Sequence, residues 1–231
     1  MGVICLLAYG KNVLLMTKPN EIKKVYLSKT RNDKEVIEYL KQNKIRYVLT
    51  DNFTLDKMTK ENHQGIILER DDYLYHNLES ILDKKFLVIL DHLEDPHNFG
   101  AIIRTSEAAG VEGIIIPKDR SVTVNDTVMK TSVGTTSNVP IIKVTNLVET
   151  IKKLKKNNFF VYGSDMDGID LKEVDFADKK VLVIGNEGKG ISELVQKNCD
   201  EMVKIPMSGK VNSLNASVAA GIIIFKMGGL S

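Results

Sequence analysis

The sequence predicts an α/β fold, with a mostly parallel sheet in its longer C-terminal part and a smaller α/β unit ahead of it. Three observations carry this. Phe86-Leu87-Val88-Ile89-Leu90 is a continuous apolar run, as expected of a strand covered on both faces. Strand-like and helix-like stretches alternate from there to the C-terminus. Two polar loops rich in small residues, around 185–190 and 207–217, each follow a predicted strand, where α/β folds hold small ligands.

In order along the chain, Tyr9-Gly10 opens a short helix over Lys11–Met16, and Ile22–Leu27 alternates as a strand. Asn32 or Asp33 can cap a helix reaching about Asn43, with Val36, Ile37 and Leu40 on its apolar side. Arg46–Thr50 reads as a strand, Leu55–Thr59 as a short helix and Gly65–Leu68 as a strand, a complete small unit. The charged Glu69-Arg70-Asp71-Asp72 breaks the pattern, which sets the expected domains at 1–70 and 85–231, with a linker over 71–84 that carries a short helix. Beyond Leu90 come a loop through His97, a helix from about Asn98 to Ala109 stopped by Gly110, and a strand over Gly113–Ile116. A helix over Asn125–Val133, a strand over Pro140–Lys143, a helix over Leu147–Lys156 and a strand over Phe159–Ser164 follow. The last stretch reads as a buried strand to Ile184, a glycine-rich turn, a helix from near Ile191, a strand at Ile205–Met207, a polar loop and a final helix. In that helix Leu214, Val218, Ile222 and Phe225 recur at helical spacing and are expected to form its core face.

The composition is that of an ordinary globular protein: 231 residues, 43% hydrophobic, net charge +2. Residues 1–62 hold 12 Lys/Arg against 7 Asp/Glu, a balance of +5 that suits a polyanion or a solvated lysine-rich surface. Cys5 and Cys199 form no CxxC, which fits a reducing cytosol and argues against a disulfide scaffold or zinc site. Val3–Ala8 is apolar but too short to span a membrane and lacks a basic flank, so a cytoplasmic location is expected.

Gly185-Asn186-Glu187-Gly188-Lys189-Gly190 is not a Walker A loop, since no Ser or Thr follows a Gly-Lys pair, and its glycines fall as GxxGxG instead of GxGxxG. Glycine there permits close backbone approach to a ligand, and Glu187 can accept hydrogen bonds or cap the next helix. Asn98 and Arg104 lie six residues apart on one predicted helix. An arginine among Ala, Ile and Gly is either functional or paired with Glu107 or Glu112. Ser213 or Asn212 can cap the last helix or form a polar rim facing the 185–190 turn. His92 and His97 flank an acidic loop, but their spacing fits no metal signature, and no metal is expected.

Taken together, Asn98-Phe99-Gly100-Ala101-Ile102-Ile103-Arg104-Thr105, Ile184–Gly190 and Ile205-Pro206-Met207 through Ser213-Leu214-Asn215-Ala216-Ser217-Val218-Ala219 resemble the three motifs of the SpoU family, RNA ribose 2′-O-methyltransferases of the SPOUT class. Tyr9-Gly10 and His63-Gln64-Gly65-Ile66 resemble the substrate-binding domain of its ribosomal-RNA branch, a small α/β RNA-binding fold. The resemblance implies a C-terminal α/β trefoil-knot domain that binds S-adenosylmethionine and forms homodimers. Gly185, Ile205 and Leu214 would hold the cofactor through backbone groups, with Asn186, Glu187 and Met207 alongside. Arg104 would be the catalytic arginine, with Asn98, Glu187, Ser213 and Asn215 orienting it and the ribose. The leading domain favours ribosomal RNA, a guanosine of the 23S large-subunit RNA, over transfer RNA. A non-catalytic RNA-binding assembly factor is the reading from another class. Neither DNA nor a membrane is implied as a partner.

Overall fold

A computed structural model describes residues 5–31, 33–209 and 213–229. The chain divides into two compact units, residues 1–74 and 75–231.

The first unit is built from β1 (Cys5–Tyr9), α1 (Lys11–Met16), β2 (Ile22–Ser28), α2 (Lys34–Gln42), β3 (Tyr47–Thr50), α3 (Asn52–Met58) and β4 (Ile66–Asp71). Its sheet has the order β1-β4-β2-β3, antiparallel except for the β2–β3 pair. The alternation in β2 turns Val25 and Leu27 inward, where they meet Val13, Leu14, Val36 and Leu40 from the helices. Aspartates start two of the helices: Asp33 accepts from Val36 N, and Asp51 accepts from Thr54 N. The alternative cap, Asn32, lies outside the described residues. Strand β1 is an element the sequence reading lacked. Its apolar run, too short to span a membrane, lies at a sheet edge paired with β4, as in Ala8 against Leu68.

The second unit contains β5 (Phe86–Leu90), α4 (Pro96–Ala108), β6 (Gly113–Pro117), α5 (Asp126–Thr131), β7 (Ile141–Val144), α6 (Leu147–Lys156), β8 (Phe160–Asp170), β9 (Lys180–Ile184), α7 (Glu193–Gln196), β10 (Glu201–Lys204) and α8 (Ala216–Met227). Its six strands run in the order β10-β8-β9-β5-β6-β7, all parallel. A parallel sheet covered on both faces needs apolar residues at successive positions, and every residue of β5 and β6 is buried. Residues 75–84 pack with this unit: His76 bridges to Ile142, and Ile81, in a 3₁₀ turn, is buried in the same core as Leu87, Ile89 and Val183.

Strand order reverses at β5. Helix α4 and β6 leave on one side while β9 lies on the other, with Leu90 in register with Ile184. The carboxyl ends of β5 and β9 are therefore neighbours, and the Asp91 amide donates to Ile184 O at 2.8 Å. Helix α4 crosses α5 so closely that a Cβ on Gly100 would lie 2.6 Å from Thr131 Cβ. On another side α4 meets α8, where Gly221 faces Thr105 and Gly228 faces the Ala109 carbonyl.

Three expectations are corrected in the last stretch. The final strand ends at Lys204, so Ile205–Met207 belongs to the loop beyond it, and α7 is a single turn. Helix α8 is capped by Asn215, whose Oδ1 accepts from Ser217 N and Val218 N, so Ser213 is not the cap, and Asn212 lies outside the described residues. The supposed core face of α8 is its exposed one. Val218, Ile222 and Phe225 are 50, 42 and 38% exposed, and Leu214 just before the helix is exposed too, while Ala216, Ala220, Ile223, Ile224 and Met227 are buried. No helix among the described residues is long and apolar enough to cross a membrane.

Candidate active site

Asp91 is the first residue beyond the buried strand β5. Its side chain is 1% exposed, so both carboxylate oxygens need partners. Oδ1 lies 2.6 Å from His92 Nδ1, and Oδ2 accepts from Ser192 N at 2.6 Å. Ser192 follows the glycine-rich turn, so one buried carboxylate ties the end of β5 to the segment leaving β9. The sequence alone sets Asp91 in the acidic loop beside His92, where its polar neighbours do not mark it as buried. The available signal was an acid immediately after five buried apolar residues.

The turn itself is closed by a backbone pair: Asn186 N donates to Gly190 O at 3.0 Å and Gly190 N to Asn186 O at 2.9 Å, with Gly190 left-handed at φ +65°. Gly185 is held against this pair so tightly that a Cβ would lie 2.1 Å from Gly190 C. The Asn186 side chain holds the turn from inside. Its Oδ1 accepts from Gly188 N at 2.9 Å, and its Nδ2 donates to the His92 carbonyl at 2.9 Å. This leaves Glu187 exposed at the tip.

Glu187 meets two other elements there. Asn98, in the first turn of α4 and 7% exposed, donates through Nδ2 to Glu187 Oε1 at 2.9 Å. Asn98 Oδ1 in turn accepts from Asn215 Nδ2 at 3.0 Å. Asn215 thus uses its oxygen to cap α8 and its nitrogen to reach α4. A carboxylate and two amides from three distant stretches form one directed chain, Asn215 to Asn98 to Glu187, which orients the Glu187 carboxylate.

Of the other expected site residues, Arg104 lies about 9 Å further along α4 than Asn98, at six residues of helical rise. It is exposed, and its side chain bonds to no other described residue. The ion pairs weighed for it do not form. Glu107 accepts from Asn138 Nδ2, and Glu112 accepts from the Lys85 and Phe86 amides. Ile205 is half-buried, while Met207, Ser213 and Leu214 are exposed. Neither the backbone of Ile205–Gly209 nor that of Ser213 and Leu214 hydrogen-bonds to another described residue. His97 approaches Thr131 Oγ1 at 3.5 Å, and among the described residues no three His, Cys, Asp or Glu side chains gather as a metal site requires. Burial pushes the Cys199 thiol up to about 12, so it is no nucleophile at neutral pH.

These elements have clear relatives. Residues 85–225 match the SpoU rRNA Methylase family, and residues 7–76 match the domain described as RNA 2′-O ribose methyltransferase substrate binding. A Bacillus subtilis (strain 168) protein assigned to the TrmH family of tRNA/rRNA methyltransferases, YacO, is 38% identical over 94% of this chain and 93% of its own length. A Staphylococcus aureus (strain COL) protein assigned to the same family is 42% identical over 84% of this chain and 81% of its own. The crystal structure of the SpoU methyltransferase AviRb from Streptomyces viridochromogenes, in complex with AdoMet, superposes with a TM-score of 0.84 at 23% identity, over 97% of this chain and 89% of that one. With one family domain carrying the Asn98–Glu187–Asn215 chain and a substrate-binding domain ahead of it, the protein belongs to the SpoU rRNA methylase family and is an RNA 2′-O-ribose methyltransferase.

Proposed function

We propose that this chain methylates the ribose 2′-hydroxyl of a guanosine in 23S large-subunit ribosomal RNA, in the cytoplasm and as a homodimer, through Arg104, Asn98, Glu187, Ser213 and Asn215. The observation that carries the reading is the hydrogen-bond chain from Asn215 through Asn98 to Glu187, which orients an exposed carboxylate from the helix that also carries Arg104. The substrate-binding domain over residues 7–76 supports a large structured RNA, and the basic balance of residues 1–62 agrees with it.

S-adenosylmethionine supplies a methyl group already activated as a sulfonium. The residues present suit it. Gly185 leaves no room for a side chain at the turn, the backbone groups of Ile205–Gly209, Ser213 and Leu214 bond to no other described residue, and Met207 and Leu214 offer apolar surface. Gly185, Ile205 and Leu214 would hold the cofactor by backbone groups, with Asn186, Glu187 and Met207 alongside, in loops we infer to lie within a trefoil knot.

What remains for the chain is to orient one hydroxyl and ease the loss of its proton. Arg104 cannot readily serve as the base, because a guanidinium is almost never deprotonated in a protein. It acts as a donor toward the developing alkoxide or the adjoining phosphate. Glu187, with Oε1 held by Asn98, presents Oε2 to the ribose. Homodimerisation is supported by the exposed apolar row Leu214, Val218, Ile222 and Phe225, which one copy leaves uncovered beside the site.

The test is Arg104→Ala. Methylation of ribosomal RNA should fall by about 10²–10³-fold, as for loss of one preorganised donor, with S-adenosylmethionine affinity by calorimetry unchanged. Near-wild-type methylation would refute the assignment. Mapping ribose methylation in ribosomal and transfer RNA from a strain lacking the gene decides the substrate: a site lost from transfer RNA alone would overturn the ribosomal reading.

A further inference from the structure

The first unit contains a cavity that no part of the methyl-transfer reading uses. It lies where the chain leaves β2, where α3 begins and where the turn before β4 closes, and its volume is about 530 Å³. That is within the range of about 300–1,000 Å³ typical of small-ligand sites. Ser28, Thr30, Arg31, Asn52, Asn62 and Gln64 line it.

Its walls are built, not incidental. Gln64 and Gly65 are both left-handed, at φ +50° and +77°, and Gln64 has no glycine's freedom to adopt that conformation. Several contacts hold the turn there. Arg31 Nη1 donates to Gln64 O, Ser28 N donates to Gly65 O at 2.8 Å, and Gly65 N donates to His63 Nδ1 at 2.9 Å. His63 is braced from its other side, with Nε2 3.0 Å from Asp56 Oδ1. A left-handed non-glycine residue so fully held is a feature common at ligand sites.

The chemistry of the lining points to a nucleobase edge. The side-chain amides of Asn52, Asn62 and Gln64 bond to no other described residue. Each offers a donor beside an acceptor, the pattern that pairs with base edges. A phosphate is disfavoured, because Asp56 and Glu61 share the lining with Arg31, whose Nη2 is already engaged by Asp33 at 3.3 Å. Phe53, which follows the lining residue Asn52 on α3, is 67% exposed, and Lys57 Nζ lies 4.2 Å from its ring centroid. An exposed aromatic ring with a cation over it is a platform for a stacked base and its backbone.

We propose that this cavity receives one unpaired nucleotide of the substrate RNA, read at its base edge by Asn52, Asn62 and Gln64, while a neighbouring base stacks on Phe53. The inference rests on the RNA-methyltransferase reading and adds the place and chemical moiety of recognition.

The test uses the full chain and deproteinised ribosomal RNA from a strain lacking the gene. For Asn52→Ala/Asn62→Ala and for Phe53→Ala, KM for RNA should rise about tenfold or more, with kcat within about twofold and S-adenosylmethionine affinity unchanged. In anisotropy measurements an unpaired oligoribonucleotide should compete for wild-type protein far better than a duplex of the same sequence. Unchanged KM in variants that melt at the wild-type temperature would overturn the proposal, as would equal competition by the duplex. If the wild type binds ribosomal RNA but methylates none, the proposed function fails, and the variants' dissociation constants still decide the cavity: unchanged values refute it, weakened ones uphold it.

Discussion

Asn98 is the link whose replacement tests the site most sharply. It makes two side-chain bonds, one to Glu187 at 2.9 Å and one from Asn215 at 3.0 Å. Asn98→Ala removes both, at about 1 kcal/mol each, so a loss of about 2 kcal/mol is expected, independent of pH near neutrality. Asn98→Asp keeps the acceptor for Asn215 but exchanges the donor for a second carboxylate about 3 Å from the first. The lost bond costs about 1 kcal/mol. At an effective dielectric constant between about 20 and 80, the repulsion adds roughly 1–5 kcal/mol, toward the low end because Glu187 is exposed and can swing away. The sign with pH follows. Crowding two carboxylates raises the folded-state pKa of the pair, so the cost is full above that pKa and disappears as pH falls through it. Denaturant unfolding near pH 7.5 and near pH 5, with single-turnover methylation at the higher pH, reads this out. Asn98→Asp should recover stability at the lower pH relative to Asn98→Ala, and both should methylate poorly. An Asn98→Asp variant as stable and active as wild type near pH 7.5 would refute the directed chain.

Gly185→Ala forces a methyl group to within 2.1 Å of Gly190 C, an overpacking that costs about 1–3 kcal/mol or opens the turn. Calorimetry should give at least tenfold weaker S-adenosylmethionine binding and a melting point several degrees lower; unchanged values would contradict the fit. Asp91→Asn weakens two charge-assisted contacts of a buried carboxylate, about 1.5–3 kcal/mol, to be read by chemical denaturation. Ile222→Glu places a charge on the exposed apolar row of α8. Light scattering should find the mass of one chain in place of two, and a mass unchanged from wild type would count against that face as the interface.

The alternation of strands and helices was readable because β5 and β6, buried throughout, keep apolar residues at every position. The orientation of α8 was not. Its sequence is apolar around most of its circumference, so periodicity cannot choose between the row that meets α4 and the row left exposed. Packing makes that choice, and Gly228, where a Cβ would lie 3.0 Å from Ala109 O, lets the end of α8 approach α4. Strand β1 escaped notice because a short apolar run has no period that separates a strand from other buried segments. In the site, the residue types were legible from the motifs, but their contacts join positions 89 and 117 residues apart, beyond local pattern. Asp91 was hidden by its polar neighbours in sequence, since burial of a side chain after a strand depends on β9 beside it. The cavity of the first unit was hidden for a like reason, its lining being drawn from three separate stretches.

The double duty of Asn215 has a consequence for timing. The residue that starts the last helix is also the one that reaches back 117 positions to Asn98. During synthesis, then, Glu187 and Asn98 exist long before anything can complete the chain between them, and the final helix must emerge and dock first. A chain that has emerged only as far as Glu187 therefore lacks the Asn215 amide that fixes the Asn98 side chain, and with it the contact that holds the Glu187 carboxylate in one direction.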